Sequence, residues 1–253
     1  MLLLITNTKL TFRALPESEK KKRQNMRYHI ETAPIWDAFK SGCECPLCEI
    51  ESSLSARLVE QYLNEAVMEP DYRVDVNKYG FCSAHFLKLF DGKNKLGLTL
   101  QTQTRLQSVM EDIKENLSAK QAAKQAQKLS ETLDTCVICN QINRAIDVYY
   151  ETVARMFLYE TEFKNVILAS KGLCIKHYAG LLAFAKQAGK RADEFVKDIT
   201  DTQLKNMKRL YAEMESFTDK FDANKRRNNP APVTTVESTS LQRTINKLKG
   251  KII

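Results

Sequence analysis

One arrangement of cysteine and histidine occurs twice in this chain, about 91 residues apart. Each copy reads C-x-x-C, then a gap, then G-Φ-C-x-x-H, where Φ is an apolar residue. The gap is 33 residues in the first copy and 34 in the second. The first copy contains Cys45, Cys48, Cys82 and His85, and the second contains Cys136, Cys139, Cys174 and His177. Eight of the ten cysteines and histidines therefore follow one order, which unrelated core thiols would not produce.

Three thiols and one imidazole in each copy are the ligand set of a closed tetrahedral zinc site. The sequence therefore predicts two Zn²⁺ ions, one bound within each copy. Four protein ligands leave no open position for water or substrate, so we expect structural sites and assign no catalytic residue. Iron–sulfur clusters are the alternative, because cysteine is also their usual ligand.

Other polar residues are interpreted as lying outside these sites. Cys43 extends the first motif to C-x-C-x-x-C, but the second copy has no cysteine at the matching position. Glu65, Glu69 and Asp71 are expected to form a solvated helix face, and the alternatives are acid/base groups or partners for the imidazole of His85. The chain has no P-loop, no dinucleotide fingerprint and no G-x-S-x-G motif.

The net charge of +8 is concentrated in the ends of the chain. Residues 1–25 carry six basic and two acidic side chains, and residues 223–253 carry seven and one, which leaves 26 basic and 28 acidic side chains between them. The sequence predicts a disordered basic tail over 1–25 and a linker plus a basic amphipathic helix over 223–253. A basic tail without a groove-reading element does not favour nucleic acid as a partner.

Helical periodicity follows each C-x-x-C, and no segment alternates with period two. Leu54, Leu58 and Tyr62 form the stripe after Cys48. The corresponding residues after Cys139 are Ile142, Ile146, Tyr149, Tyr150, Val153 and Phe157. We therefore predict an all-α fold of two pseudo-repeated helical units, over residues 26–135 and 136–222. Each unit would be cross-linked by its own Cys₃His metal site.

The glycine in each G-Φ-C-x-x-H half-motif is expected to end one helix, and the cysteine to begin the next. Gly80 precedes Cys82 in this way, and Gly172 precedes Cys174. A helix N-terminus stabilises a thiolate, and a histidine three residues later lies on the same helical face.

Long helices are expected to close both units, and a short one to open the first. The segment 28–39, with Trp36, is predicted to pack against the first unit. The closing helix of that unit is marked by Leu106, Val109, Met110, Ile113 and Leu117, and it can extend through residues 118–128. The closing helix of the second unit is marked by Phe195, Ile199, Leu210, Met214, Phe217 and Phe221.

The last segment has an apolar stripe made of Leu241, Ile245, Leu248 and Ile252. Such a helix can dock on its own body, bind a partner groove or lie on an anionic membrane surface. No secretory signal and no membrane-spanning apolar run occurs, so a cytoplasmic, reduced protein is expected, with Met26 as an alternative start.

The segment from Met26 to Phe39, with the two cysteine–histidine motifs, resembles a family of bacterial proteins known only as a domain of unknown function. The resemblance covers about residues 26–250 and implies the same helical architecture and metal ligands. It implies no particular activity.

From these observations we expect a non-catalytic zinc protein that acts by binding another protein, as an adaptor. Two alternatives stay open: a redox or metal sensor that releases zinc when its thiolates are oxidised, and an iron–sulfur protein of electron transfer.

Overall fold

The computed structural model describes residues 32–222 and 232–251, and within these ranges the regular structure is entirely helical. The all-α prediction is therefore confirmed. The α-helices are α1 (32–40), α2 (Pro46–Leu63), α3 (Pro70–Tyr79), α4 (Ser83–Asp91), α5 (Lys95–Asp112), α6 (Ala119–Leu133), α7 (Val137–Tyr159), α8 (Thr161–Ala169), α9 (Ile175–Ala183), α10 (Ala192–Asp219), α11 (Thr235–Ser238) and α12 (Ser240–Lys249). Short 3₁₀ segments occupy Glu65–Val67 and Ala185–Arg191. None of the described helices has the length and apolar content needed to cross a bilayer.

Helices α2 and α7 follow the two C-x-x-C motifs and form the centre of the molecule. Their predicted apolar stripes face the core, where Leu54 of α2 and Ile142 and Ile146 of α7 are buried. Gln141 near the beginning of α7 donates a 2.7 Å hydrogen bond to the hydroxyl of Tyr62 near the end of α2. Further along α7, the ring of Tyr150 lies 6.1 Å from that of His177, which contacts Cys48 at the beginning of α2, so the two helices run antiparallel.

Shorter helices, α3 and α8, lead from these long helices to the second half of each motif. Pro70 occupies the first position of α3, where a missing N–H costs nothing. Gly80 ends α3 with φ +61°, as predicted. Helix α8 ends earlier, at Ala169 with Ser170 as its C-cap, so the prediction that Gly172 ends this helix is wrong. Gly172 has φ +73°, a region that glycine enters without strain. The chain then turns directly into α4 and α9.

Helix α1 packs against the second unit, so the expected packing against the first unit is wrong. The ring of Trp36 lies 5.1 Å from the ring of Phe163 in α8, and the ring of Phe39 lies 5.3 Å from it, both edge to face. Phe163 is completely buried. The N-terminal helix therefore contacts the second copy on the side of the molecule where Cys45 meets Cys174.

The closing helix of the first unit is broken, contrary to the continuous helix considered above. Helix α5 ends at Asp112, and α6 begins after Ser118, whose side chain forms a capping box with Gln121. Asn116 between them has φ +55°. The stripe through Leu106 and Met110 is exposed to solvent and does not form core.

The C-terminal helix α12 docks on the body, but through its polar face. Ser240 and Lys247 are buried, whereas Leu241 and Leu248 of the apolar stripe are exposed. The predictions for residues 1–25, most of the linker and Ile252 lie outside the described residues.

Replacing Phe163 by alanine is expected to cost about 3–5 kcal/mol of unfolding free energy, because the cavity left in α8 would also remove the contact surface of α1. Leu168→Ala, on the exposed side of the same helix, should cost about 1 kcal/mol or less. Urea unfolding followed by circular dichroism measures both. Equal costs would contradict the packing of α1 on Phe163.

Candidate metal centres

All eight residues singled out by the motif come together in two clusters, but each cluster combines half-motifs from both copies. We name the first cluster site A; it consists of Cys45, Cys48, Cys174 and His177. We name the second site B; it consists of Cys82, His85, Cys136 and Cys139. The predicted pairing of each C-x-x-C with the G-Φ-C-x-x-H of its own copy is therefore wrong.

Helix lengths explain the exchange. Helix α2 has 18 residues and so extends about 27 Å from Pro46, whereas the following helix α3 has 10 residues and covers only about 15 Å. Helix α7 has 23 residues and α8 has 9, so the second copy falls short in the same way. Because α2 and α7 are antiparallel, each returning helix ends near the C-x-x-C of the other copy.

Site A places one imidazole nitrogen among three sulfur atoms. The Nδ1 atom of His177 lies 3.4 Å from the Sγ atoms of Cys45 and Cys48 and 3.2 Å from that of Cys174. The Sγ atoms of Cys48 and Cys174 are 3.6 Å apart. All four residues are buried, and their ligand atoms lie within 4.8 Å of one another.

Site B has nearly the same dimensions. The Nδ1 atom of His85 lies 3.3 Å from the Sγ atoms of Cys82 and Cys139 and 3.4 Å from that of Cys136. The Sγ atoms of Cys82 and Cys139 are 3.7 Å apart. These two cysteines are only partly buried, so site B is more open to solvent than site A. Both clusters have the donor atoms and spacing to hold a metal ion.

Two helix N-termini meet at each site. Cys45 is the N-cap of α2 and Cys174 the N-cap of α9, and both belong to site A. Cys136 is the N-cap of α7 and Cys82 the N-cap of α4, and both belong to site B. The positive ends of four helix dipoles therefore point towards sulfur atoms, which favours thiolates.

The cysteines within each site differ strongly in pKa because their thiols interact with one another. Hydrogen bonds from the Cys45 and Cys48 thiols lower the pKa of Cys174 to about 3. In site B, the thiol of Cys139 lowers the pKa of Cys136 to about 3, and the pKa of Cys139 is raised in turn. One thiolate in each site is therefore strongly favoured, and with burial its negative charge raises the pKa of Cys45 in site A and of Cys139 in site B.

A carboxylate on α2 faces the second nitrogen of the site A imidazole. The Oε2 atom of Glu51 lies 3.2 Å from Nε2 of His177, and Lys176 pairs with the other carboxylate oxygen. Burial raises the pKa of Glu51, but His177 and Lys176 outweigh it and lower that pKa to about 2. A charged carboxylate behind a metal-binding imidazole fixes its orientation and strengthens it as a ligand.

Site B uses a hydroxyl in the corresponding place. Ser55 Oγ lies 3.2 Å from Nε2 of His85 and accepts a 3.0 Å hydrogen bond from Lys88. Glu65, Glu69 and Asp71, which the sequence offered as partners of His85, do not fill this position. Helix α2 therefore supports both imidazoles. The sequence signal was available, because Glu51 and Ser55 follow Cys48 by three and seven residues, on the side of the helix that the motif already marks.

Cys43 lies outside both sites, as interpreted from the sequence. Its Sγ atom is 3.8 Å from the carbonyl oxygen of Ala38, a weak contact at the end of α1.

A family model described as Family of unknown function (DUF6062) matches residues 26–253. The match covers most of the chain, so the protein belongs to that family. No curated protein and no solved structure matches the chain.

The exchanged pairing can be tested by thiol cross-linking, without reference to the bound metal. After chelation, a short bifunctional thiol reagent should join Cys48 to Cys174 and Cys82 to Cys139, because these sulfur atoms lie 3.6 and 3.7 Å apart. Peptide mass spectrometry identifies the products. Cross-links that join Cys48 to Cys82 in preference would show that each motif closes on itself.

Proposed function

We propose that this member of the family holds one structural Zn²⁺ in site A and another in site B, and that it acts without catalysis by binding another protein. The observation that carries the proposal is that, among the described residues, each cluster brings together four ligand-type side chains, the number that fills a tetrahedral ion. A closed tetrahedral site has no position for substrate, so its metal serves the fold.

The interatomic distances support zinc. With zinc–sulfur bonds of about 2.3 Å and zinc–nitrogen bonds of about 2.0–2.1 Å, a tetrahedral ion holds sulfur atoms roughly 3.8 Å apart and sulfur and nitrogen roughly 3.5 Å apart. The sulfur–sulfur distances of 3.6 and 3.7 Å and the sulfur–nitrogen distances of 3.2–3.4 Å lie close to these values. An iron–sulfur cluster divides its ligands among several irons with bridging sulfides between them, and so needs a wider cage.

Each ion would join segments from both copies of the motif. Binding free energy at a structural zinc site is folding free energy, of the order of 10–16 kcal/mol in isolated zinc modules. In site A the joined residues are as much as 132 positions apart in the chain. Loss of either ion would therefore loosen the contact between the two halves of the molecule.

An exposed apolar groove supports the binding role. Phe90, Leu98 and Leu106 line a groove of about 820 Å³ between α4 and α5, and Phe90 and Leu106 are 63% and 58% exposed. Exposed apolar surface of this kind is typical of contacts with other proteins. We place the protein in the cytoplasm, since thiolate ligands need a reducing compartment.

Metal analysis of double variants tests the proposal. The purified wild-type protein should contain two zinc ions per chain, with a featureless visible spectrum. Cys48→Ser with Cys174→Ser removes two ligands of site A and should leave one zinc. Cys48→Ser with Cys82→Ser removes one ligand from each site and should lower the occupancy of both.

The matched control is Cys43→Ser, which should keep two zinc ions, because Cys43 is outside both sites. Iron, acid-labile sulfide and absorbance in the visible region of the wild-type spectrum would overturn the zinc proposal in favour of electron transfer. Absence of stoichiometric metal would overturn both.

Redox sensing is a second candidate, favoured by the exposure of site B. Cys82 and Cys139 are the partly exposed ligands of that site, and their sulfur atoms are 3.7 Å apart. Peroxide could oxidise these two thiolates to a disulfide, with reduction of the peroxide to water and release of the zinc.

If site B is a sensor, mild peroxide should release one zinc ion and form the Cys82–Cys139 disulfide, while site A keeps its metal behind buried thiols. A metallochromic indicator measures the released zinc, and peptide mapping locates the disulfide. Equal release from both sites, or release only under harsh oxidation, would leave zinc with a purely structural role.

A further inference from the structure

The two ligand loops of site B are joined by hydrogen bonds from residues beside the ligands. The hydroxyl of Thr135 donates to the carbonyl oxygen of Tyr79 at 2.7 Å, the shorter of two contacts, the other being with the carbonyl oxygen of Thr132 at 2.9 Å. The backbone N–H of Val137 donates to the carbonyl oxygen of Gly80 at 3.0 Å. The residues next to Cys136 thus hold the loop that carries Cys82.

Site A cannot form the same pair of bonds. The position equivalent to Val137 is occupied by Pro46, which has no N–H, and the position equivalent to Thr135 is occupied by Glu44. Nevertheless, the carbonyl groups of Glu44 and Lys171, on the two ligand loops, both accept hydrogen bonds from a single donor. That donor is the ammonium group of Lys247 in the C-terminal helix α12, which lies 2.6 Å from the oxygen of Lys171.

Lys247 is almost fully buried, with 2% of its surface exposed. A buried ammonium group is costly unless its hydrogen bonds and charge are satisfied. Here two carbonyl oxygens accept from it, and the Glu44 carboxylate lies 3.5 Å away. The same carboxylate binds Arg209 of α10 at 2.7 Å. The lysine is therefore held in one position, between the loop before Cys45 and the loop before Cys174.

We propose that Lys247 is a positioning residue for site A, and that docking of α12 controls how firmly site A keeps its metal. This proposal rests on the proposed zinc sites and adds that the two are not equivalent. Site B is joined by its own flanking residues. Site A depends on a helix that begins 63 residues after its last ligand, His177, in the sequence.

The position of α12 over the site A thiols supports this role. A cavity of about 150 Å³ lies between Cys45 and Cys48 on one side and Asn246 and Lys247 on the other. At the end of α12, a Cβ atom on Gly250 would lie 3.8 Å from Sγ of Cys174. Undocking of the helix would therefore expose the sulfur ligands to water and to competing chelators.

Ion pairs contribute much of the docking, which makes it reversible. Arg243 pairs with Glu213 at 2.7 Å, and Lys251 pairs with Glu49 at 3.0 Å on the surface, while Leu241 and Leu248 of α12 face solvent. Partly exposed ion pairs are weak and are screened by salt. Site A should therefore lose its metal faster at high ionic strength, and site B should not.

The experiment is a timed chelation of the full-length, zinc-loaded protein, with trapping of freed thiols by N-ethylmaleimide and peptide mass spectrometry. Lys247→Met keeps the apolar stem but removes the donors. It should accelerate labelling of Cys45, Cys48 and Cys174 roughly tenfold or more, as expected for the loss of charge-assisted hydrogen bonds. Labelling of the three site B cysteines should be unchanged.

Lys249→Met is the matched control, because this lysine is exposed on the same helix and should alter neither rate. Equal acceleration at both sites would show that Lys247 stabilises the whole fold and does not act on site A specifically, which would overturn the proposal. Unchanged labelling of site A would overturn it as well. If Lys247→Met does not fold, wild-type protein at low and high salt tests the same point, since only site A labelling should increase. Absence of metal before chelation would instead contradict the zinc sites themselves.

Discussion

The two halves of the molecule are joined by an exchange of ligand-bearing loops. Each C-x-x-C turn meets the G-Φ-C-x-x-H turn of the other copy, so neither copy can complete a four-ligand site alone. The aromatic contact of α1 with Phe163 likewise joins a segment before the first motif to the second copy. A metal ion in either site would therefore hold together segments distant in sequence, where the entropy of closing a long loop is greatest.

Helix α2 connects the chemistry of the two sites. Its N-cap cysteine and the next turn contribute two ligands to site A, and its Glu51 faces the imidazole of that site. One turn further along, Ser55 faces the imidazole of site B. A carboxylate behind one histidine and a hydroxyl behind the other make the two centres electrostatically different. The two sites thus have similar interatomic distances but different residues behind their imidazoles.

The ligand loops of the two sites are also joined by different means. A proline at one position of the first motif removes the N–H that the second motif uses, and the buried Lys247 supplies hydrogen bonds there instead. Helix α12 covers the thiols of site A, all of which are buried, whereas site B is partly exposed and its loops are joined by their own flanking residues.

Local features of the chain could be read from the sequence. Spacing, periodicity and backbone preference within about a dozen residues were enough to predict them. These features are the ligand residue types, the helices after each C-x-x-C, the glycine turns and the cysteines at helix starts. Only the tertiary structure revealed four other features: the pairing of half-motifs, the partner of α1, the break between α5 and α6, and the polar docking face of α12. These features depend on the relative lengths and directions of whole helices, such as the 18 residues of α2 against the 10 of α3, and on side chains such as Lys247 that meet their partners far along the chain.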